Sequence, residues 1–412
     1  MNDILLNKSE LKNNQEIIIS GSKSETNRLL LLQAIYPNLK IENASNSDDS
    51  EVMRNALQLV DNSSEINVHH AGTAMRFLTS FYAIQEGSEV FISGSERMHE
   101  RPIKILVDSL NQLGSNISYL NKEGFPPIKI IGKKIKNNKV LIDANVSSQY
   151  ITSLMLVGSS LPNGLEIQLK GSITSIPYIK MTLSVLQSLG IKAEFNDKTI
   201  RISKTEKLTN DTFVVESDWS SASYYYSLIA LSKIDTQITL GYFKQNSLQG
   251  DAVLTEIYQN FGIQTIFTDN KIILKKVENL SIKNINLNLN NAPDIAQTII
   301  VTCLGLGITC NLTGLHTLKI KETDRLQALK NELEKFGASV SISADSIQLN
   351  NSIDFKKESV SIETYQDHRM AMSFAPLALK QSLIIKNAHV VSKSYPDFWN
   401  HLKSLNIRTK YL

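Results

Sequence analysis

Several helix starts in this sequence carry cations, where a helix least favours them. In GSKSETNRLLLLQAI, residues 21–35, Ser22 and Glu25 stand at capping-box spacing, so a helix is expected to begin there and run into the leucines. Lys23 and Arg28 add positive charge to and beside a first turn whose dipole is already positive. The pattern recurs. AGTAMRFLTSFYAI reads as a helix starting near Gly72 and Thr73 and carries Arg76, and Arg97 and Arg101 precede Pro102 in ERMHERPIKILVDSL. KIKETDRLQALKNEL sets Lys319, Lys321 and Arg325 around Thr323; DHRMAMSFAPLAL holds Asp367, His368 and Arg369; and SKSYPDFWNHL holds Lys393 beside Ser394. SSQYITSLML offers Ser147, Ser148 and Gln149, and SIPYIKMTL offers Ser175 and Tyr178. Taken singly, such a cation is ordinarily solvated and such a serine is a cap. Taken together, free amides, positive dipole ends and five or more cations form a strong anion site if the helices converge. Lys23 and Arg28 are therefore read as part of a site for phosphate or carboxylate groups.

Carboxylates stand among the same motifs. Asp294 follows Pro293 at an expected helix start in NNAPDIAQTII, and Glu322 lies between Lys321 and Thr323. A carboxylate surrounded by cations stays ionised and can take a proton from a substrate hydroxyl. Asp48 and Asp49, in SNSDDSEV, read equally well as acids of a helix's first turn. No G-x-x-x-x-G-K-[ST] or G-x-G-x-x-G is present, the seven histidines show no metal-ligand spacing, and adjacent His69 and His70 read as strand-end residues. Neither a cofactor nor a metal is expected. A net charge of +3, without basic stripes bearing stacking aromatics, argues against nucleic-acid binding.

The elements that must position these residues repeat. A segment ending in a large apolar residue plus Gly, Asn or Asp recurs six times, its last residues being Asp61, Gly114, Gly190, Gly262, Gly337 and Asn406. These residue types tolerate the left-handed conformation that ends a helix. Three of the segments are followed by two short runs joined by a polar turn: IKAEF-ND-KTIRI, IQTIF-TDN-KIIL and ASVSI-SAD-SIQL, which are hairpin signals. Six units of helices and strands fill a 412-residue chain too long for one core, so two domains of three units are expected. Helices apolar nearly all round, such as LLLLQAI and SYYYSLIAL, suit positions buried behind sheets. No Pro- or Gly-rich linker separates the halves, so short crossovers must connect them.

In order along nearly the whole chain, GSKSETNR, AGTAMRFLT, RMHERPI, SSQYITSL, SIPYIKMTL, APDIAQT, KIKETDRL, TYQDHRMAM and SKSYPDFW resemble the motifs of the 5-enolpyruvylshikimate-3-phosphate synthase family. The resemblance implies an α/β fold of two inside-out domains, each of three βαββαβ units, closing over an interdomain cleft. One domain would be continuous, residues 20–216, and the other assembled from residues 1–19 and 217–412. It implies transfer of the enolpyruvyl group of phosphoenolpyruvate to the 5-hydroxyl of shikimate 3-phosphate, with release of phosphate and no cofactor. By the same resemblance, shikimate 3-phosphate is expected at Lys23, Ser24, Arg28, Ser147, Ser148, Gln149, Ser175, Tyr178, Asp294, Thr317 and Lys321. Phosphoenolpyruvate is expected at Lys23, Gly72, Arg101, Gln149, Arg325, Arg369 and Lys393, with Gly72 bare so that ligand can approach the backbone. Asp294, Glu322 and Lys23 take the catalytic roles: base for the hydroxyl, proton traffic at the methylene carbon, and support of the bridging oxygen.

The chain departs from the family pattern at His70 and Thr317, each in place of an Asn, and at Phe77, in place of a Pro. None of these removes a charge. The sister transferase acting on UDP-N-acetylglucosamine is the nearest alternative. It typically carries a loop cysteine as proton donor, whereas Cys303 and Cys310 lie here in an apolar run and read as a buried thiol pair. A non-catalytic sensor of phosphorylated metabolites is a second alternative, one expected to have lost Asp294, Glu322 or Lys393. MNDILLNKSEL has no basic stretch leading into an apolar one, and no apolar run reaches membrane length. A cytoplasmic monomer is expected.

Overall fold

The computed structural model describes residues 3–58, 63–278, 282–351, 353, 355 and 358–412. The chain divides into two compact units, one of Gly21–Val215 and one of Met1–Ser20 with Glu216–Leu412. Each has its own hydrophobic core. Helices that are apolar on all sides occupy the middle of each unit. All of Trp219–Ala230 is buried, as is all of Ala296–Leu306 except Leu306. In the other unit the helices Lys23–Ile35, Gly72–Ala83 and Ser148–Gly158 pack on one another. Strands such as Leu165–Lys170 alternate between buried and outward residues, so the sheets cover these helices with one face and show the other. Among the described residues no helix is long and apolar enough to cross a membrane.

Four sheets share one topology. Ser63–Asn67 runs parallel to Glu89–Ser93, which pairs antiparallel with Ile128–Ile131, which pairs with Asn116–Tyr119. The sheets built on Leu165–Lys170, Thr309–Thr313 and Gln237–Gly241 repeat that order. A fifth sheet reaches four strands by using both chain ends, Ile4–Leu6 and Thr409–Tyr411, beside Leu383–Ile385 and Val360–Ile362. The sixth has two strands among the described residues, Lys40–Glu42 and Thr212–Val214. The strands Asn116–Tyr119 and Ile128–Ile131 follow Gly114. The expected cap at Asp61 lies outside the described residues. The other five caps have positive φ, from 70° at Asn406 to 106° at Gly114, and the three expected hairpins form as antiparallel pairs.

Each unit closes with a parallel pair of its own strands next to the crossovers near Ser20 and Glu216. Gln15–Ile18 pairs in parallel with Gln237–Gly241, and Thr212–Val214 with Lys40–Glu42. At Gly21 a Cβ would lie 1.8 Å from the Asn43 carbonyl oxygen and 2.8 Å from Val215 Cγ1. Gly21→Ala should therefore cost about 2–4 kcal/mol. Gly241→Ala, whose added carbon would meet nothing closer than 3.4 Å, should change stability far less; thermal denaturation of the two variants checks this.

Candidate active site

Each unit brings the starts of its helices together. In Gly21–Val215, Ser22 caps the helix Lys23–Ile35 by accepting from the Glu25 amide. This leaves Lys23 to reach across to Asp49, Nζ to Oδ2 2.9 Å, in the first turn of Asp48–Leu57. Gln149, at the start of Ser148–Gly158, donates to Thr73 Oγ1 at the start of Gly72–Ala83 (3.2 Å). Ser147 caps its own helix by accepting from the Gln149 amide, and Ser148, the first helical residue, is buried. Ser175 takes a left-handed backbone, φ 55°, just before Ile176–Ser188. Arg28 is buried, and its partners are all neutral oxygens: Thr182 Oγ1 at 2.7 Å, the Ser24 carbonyl at 2.6 Å and the Tyr178 carbonyl at 3.5 Å. Its guanidinium also lies 5.6 Å from the Phe77 ring centre and 5.9 Å from that of Tyr178. Burial lowers its pKa to about 10, so it stays charged at neutral pH.

Gly72 has a packing reason to be bare. A Cβ there would fall 2.5 Å from Arg101 Nη2, so the Arg101 guanidinium rests directly on this helix start. The Pro102 carbonyl behind it accepts from Arg76 Nη2 at 2.8 Å and from Tyr150 Oη at 2.6 Å. Pro102 therefore sits ahead of the helix Lys104–Leu113, with Ile103 as N-cap, not at its first turn as expected. Arg97 departs from the site, pairing with Glu100 at 2.7 Å on the surface.

In the other unit, Arg325 opens the helix Arg325–Glu334 with its side chain only 1% exposed. Nε donates to Asp367 Oδ2 (2.7 Å), Nη1 to Asp294 Oδ1 (2.9 Å) and Nη2 to Glu322 Oε2 (2.7 Å). Three of its five N–H groups are thus committed to carboxylates. Asp294 also meets Lys321 at 3.4 Å and, through Oδ2, Arg369 at 3.3 Å. Burial opposes its charge, but Arg369, Lys321 and Arg325 outweigh burial and hold its carboxyl well below the usual range. Arg369 Nη1 donates to the Asp294 carbonyl (3.1 Å) and Nη2 to Ser220 Oγ (3.3 Å). Thr317, one turn before Lys321, is buried, and its Oγ1 has no hydrogen-bond partner among the described residues. Lys393 donates to the Gln366 carbonyl at 2.7 Å. It ends the short helix Ala388–Lys393 and does not begin one; the next helix starts at Phe398. The cap of Arg325–Glu334 is Asp324, which accepts from Leu326 and Gln327, and not Thr323.

Four residues absent from the expected site belong to it by contact. Asp49 holds Lys23, and fully buried Asp367 both holds Arg325 and caps Arg369 (2.8 Å). Ser220 accepts from Arg369, and Asp251 is hydrogen-bonded to Ser220. Asp367 was within a quoted motif, but nothing in the spacing of Ser220 or Asp251 marks them. No group of acidic, histidine and cysteine side chains suited to a metal occurs among the described residues. Cys303 and Cys310 are buried and free.

A model of the family described as EPSP synthase (3-phosphoshikimate 1-carboxyvinyltransferase) matches residues 57–402. Proteins named 3-phosphoshikimate 1-carboxyvinyltransferase from Bacteroides fragilis strain YCH46 and Actinobacillus pleuropneumoniae serotype 5b are 40% and 32% identical to the chain. Those alignments cover 96% of this chain in each case, and 96% and 97% of the relatives. A structure of EPSP synthase from Acinetobacter baumannii superposes with a TM-score of 0.80 at 19% identity, covering 100% of this chain and 99% of that one. The enolpyruvyl transferase NikO from Streptomyces tendae gives 0.76 at 12% identity, covering 100% and 98%. These two likenesses show the fold.

Arg325 is placed to hold the acids of its unit in position. Arg325→Met would strand the fully buried Asp367 and should destabilise the fold by about 3–5 kcal/mol. Both tryptophans, Trp219 and Trp399, lie in this unit, so their fluorescence in a urea titration reports the loss directly.

Proposed function

The chain belongs to the EPSP synthase family, and from that premise we propose that its clustered cations and carboxylates bind shikimate 3-phosphate and phosphoenolpyruvate and transfer the carboxyvinyl group between them. The 5-hydroxyl of shikimate 3-phosphate attacks the central carbon of phosphoenolpyruvate while its methylene carbon gains a proton. The tetrahedral adduct, whose former methylene is now a methyl group, then loses phosphate and one methyl proton. Each substrate carries a phosphate and a carboxylate, which suits a site built from helix starts and cations.

Arg28 is the observation that carries this reading. A buried guanidinium whose hydrogen bonds among the described residues all end on neutral oxygens has no hydrogen-bonded counter-charge, although the Glu25 carboxylate acts on it from nearby. The phosphate of shikimate 3-phosphate would supply it, with Lys23, Ser175 and Gln149 nearby in the same unit. In the other unit, Thr317 offers its unsatisfied hydroxyl beside Lys321 and Asp294. Phosphoenolpyruvate draws on Arg101, Arg369 and Lys393. As its anions reach Arg369, that cation is shared between Asp294 and substrate, and Asp294 becomes a stronger base for the 5-hydroxyl. Glu322, fixed by Arg325, carries the proton at the methylene carbon, and Lys23 supports the bridging oxygen. A cytoplasmic location accords with the two free thiols.

Phosphate release from phosphoenolpyruvate tests the reading. It should occur with shikimate 3-phosphate and not with UDP-N-acetylglucosamine. The reverse result would exchange the substrate, and no release with either would leave a sensor. Arg28→Gln should raise the KM for shikimate 3-phosphate by about tenfold or more, a change seen in initial rates at saturating phosphoenolpyruvate. Asp294→Ala should lower single-turnover rates by about 10²-fold or more.

A further inference from the structure

Behind Arg369 lies a second acid that the reaction above does not use. Asp251 sits in the turn Gly250–Val253 and is 4% exposed. Its Oδ2 is hydrogen-bonded to Ser220 Oγ, and its Oδ1 has no hydrogen-bond partner among the described residues. Ser220 Oγ accepts in turn from Arg369 Nη2. The turn is pinned in place by Gln249, whose Oε1 accepts from the Trp219 amide (3.0 Å) and whose Nε2 donates to the Ser217 carbonyl (2.9 Å). Asp251 is thus fixed one hydroxyl away from Arg369.

The charges facing Asp251 are Arg369 from the helix His368–Phe374, Asp294 from the turn Pro293–Ile295, and Asp218, the cap of Trp219–Ala230. Buried Tyr224, on that last helix, faces Arg369 and Asp218 and stays protonated because burial raises its pKa. Arg369 is therefore surrounded by acids before any substrate arrives, and a substrate anion placed on it adds a further negative charge to a site with little water. Such a site relieves the charge by binding a proton. Asp294 is a poor acceptor because Lys321 and Arg325 also hold it ionised. Asp251 has only the shared Arg369 to oppose burial and the neighbouring acids, which lift its carboxyl to about 7.

The geometry points to Asp251 as the charge-compensating residue of the Arg369 half-site: it takes a proton from solvent when the anion of phosphoenolpyruvate reaches Arg369, so that Asp294 remains a carboxylate. The proton returns to solvent when the anions leave. This inference rests on the proposed placement of phosphoenolpyruvate at Arg369. Because the bound state holds the proton more tightly than the free state, affinity should be greatest at low pH and fall as pH rises through 7.

The test is calorimetric. Phosphoenolpyruvate is titrated into enzyme saturated with 5-deoxyshikimate 3-phosphate, which lacks the attacking hydroxyl, in two buffers of different ionisation enthalpy at pH 7.5. Wild type should take up about half a proton or more beyond Asp251→Asn. Its Kd should weaken several-fold between pH 7 and 8, whereas that of the variant stays flat. The Asn variant mimics the protonated acid, so it should bind phosphoenolpyruvate at least as tightly as wild type at pH 8. Ser220→Ala, which keeps the acid, should still take up the proton. Equal proton numbers in wild type and Asp251→Asn, or a folded Asn variant that no longer binds, would overturn the inference while leaving the reaction untouched. Should the Asn variant not fold, wild-type affinity that does not change above pH 7 would overturn it alone. Arg369→Lys separates the premise: unchanged phosphoenolpyruvate affinity in that variant would remove the anion from Arg369 and the inference with it.

Discussion

A helix that is apolar on every side can offer the outside only its ends. The central helices of both units are of this kind, and what they offer at their starts is a positive dipole and the N–H groups that a single cap leaves over. The sheets cover their flanks, so chemistry is confined to those ends. Cations in the same place, Lys23 and Arg28 in one unit and Arg325 and Arg369 in the other, would oppose folding unless negative charge were supplied. The sequence contains that charge in some places and, on the proposed reading, leaves it to substrate anions in others.

The two solutions stand side by side at Arg325 and Arg28. Arg325 meets three carboxylates, so its charge is more than balanced and its guanidinium serves as a rigid fork that aims Asp294, Glu322 and Asp367. Arg28 is equally buried, but among the described residues its hydrogen bonds go only to carbonyls and a hydroxyl, beside two rings, with the Glu25 carboxylate near but not bonded to it. Orientation without full neutralisation suits the proposed anion site, because the cation would already be desolvated and held when a phosphate reached it. Arg369 lies between these extremes. Asp294 neutralises part of its charge, and the remainder depends on whether Asp251 is ionised.

Much of this was legible in the sequence because it is local. The cap at Ser22, the left-handed ends of five repeats and the three hairpin turns are properties of a few neighbouring residues, and the structure has them. The clustering of cations and acids followed from motifs, yet the partners did not. Asp367 lies 42 residues from Arg325, and Asp251 31 from Ser220; periodicity reports which face of a helix is buried and says nothing about what it meets. The misplaced starts at Pro102 and Lys393 have one cause. A sequence shows which residues can cap or open a helix, but Pro102 is taken by Arg76 and Tyr150, and Lys393 is drawn to the Gln366 carbonyl. Long-range hydrogen bonds decided between equally good local choices.

Backbone strain marks the same places. Ser175, Tyr365 and Gln366 are left-handed without being glycine, each at a cost of about 1 kcal/mol or more. Tyr365 and Gln366 are consecutive, and they turn the chain so that the Gln366 carbonyl faces Lys393 while Asp367 faces Arg325. Glu332, fully buried in the helix Arg325–Glu334, holds this turn by accepting from Tyr365 Oη at 2.7 Å and from the Glu363 amide at 3.0 Å. One helix therefore fixes both ends of the arrangement: its first residue binds the acids, and Glu332, two turns on, braces the strained loop that delivers one of them. The strain is sustained because relaxing it would release Asp367 from Arg325, and a buried carboxylate without its guanidinium costs more than two unfavourable backbone conformations.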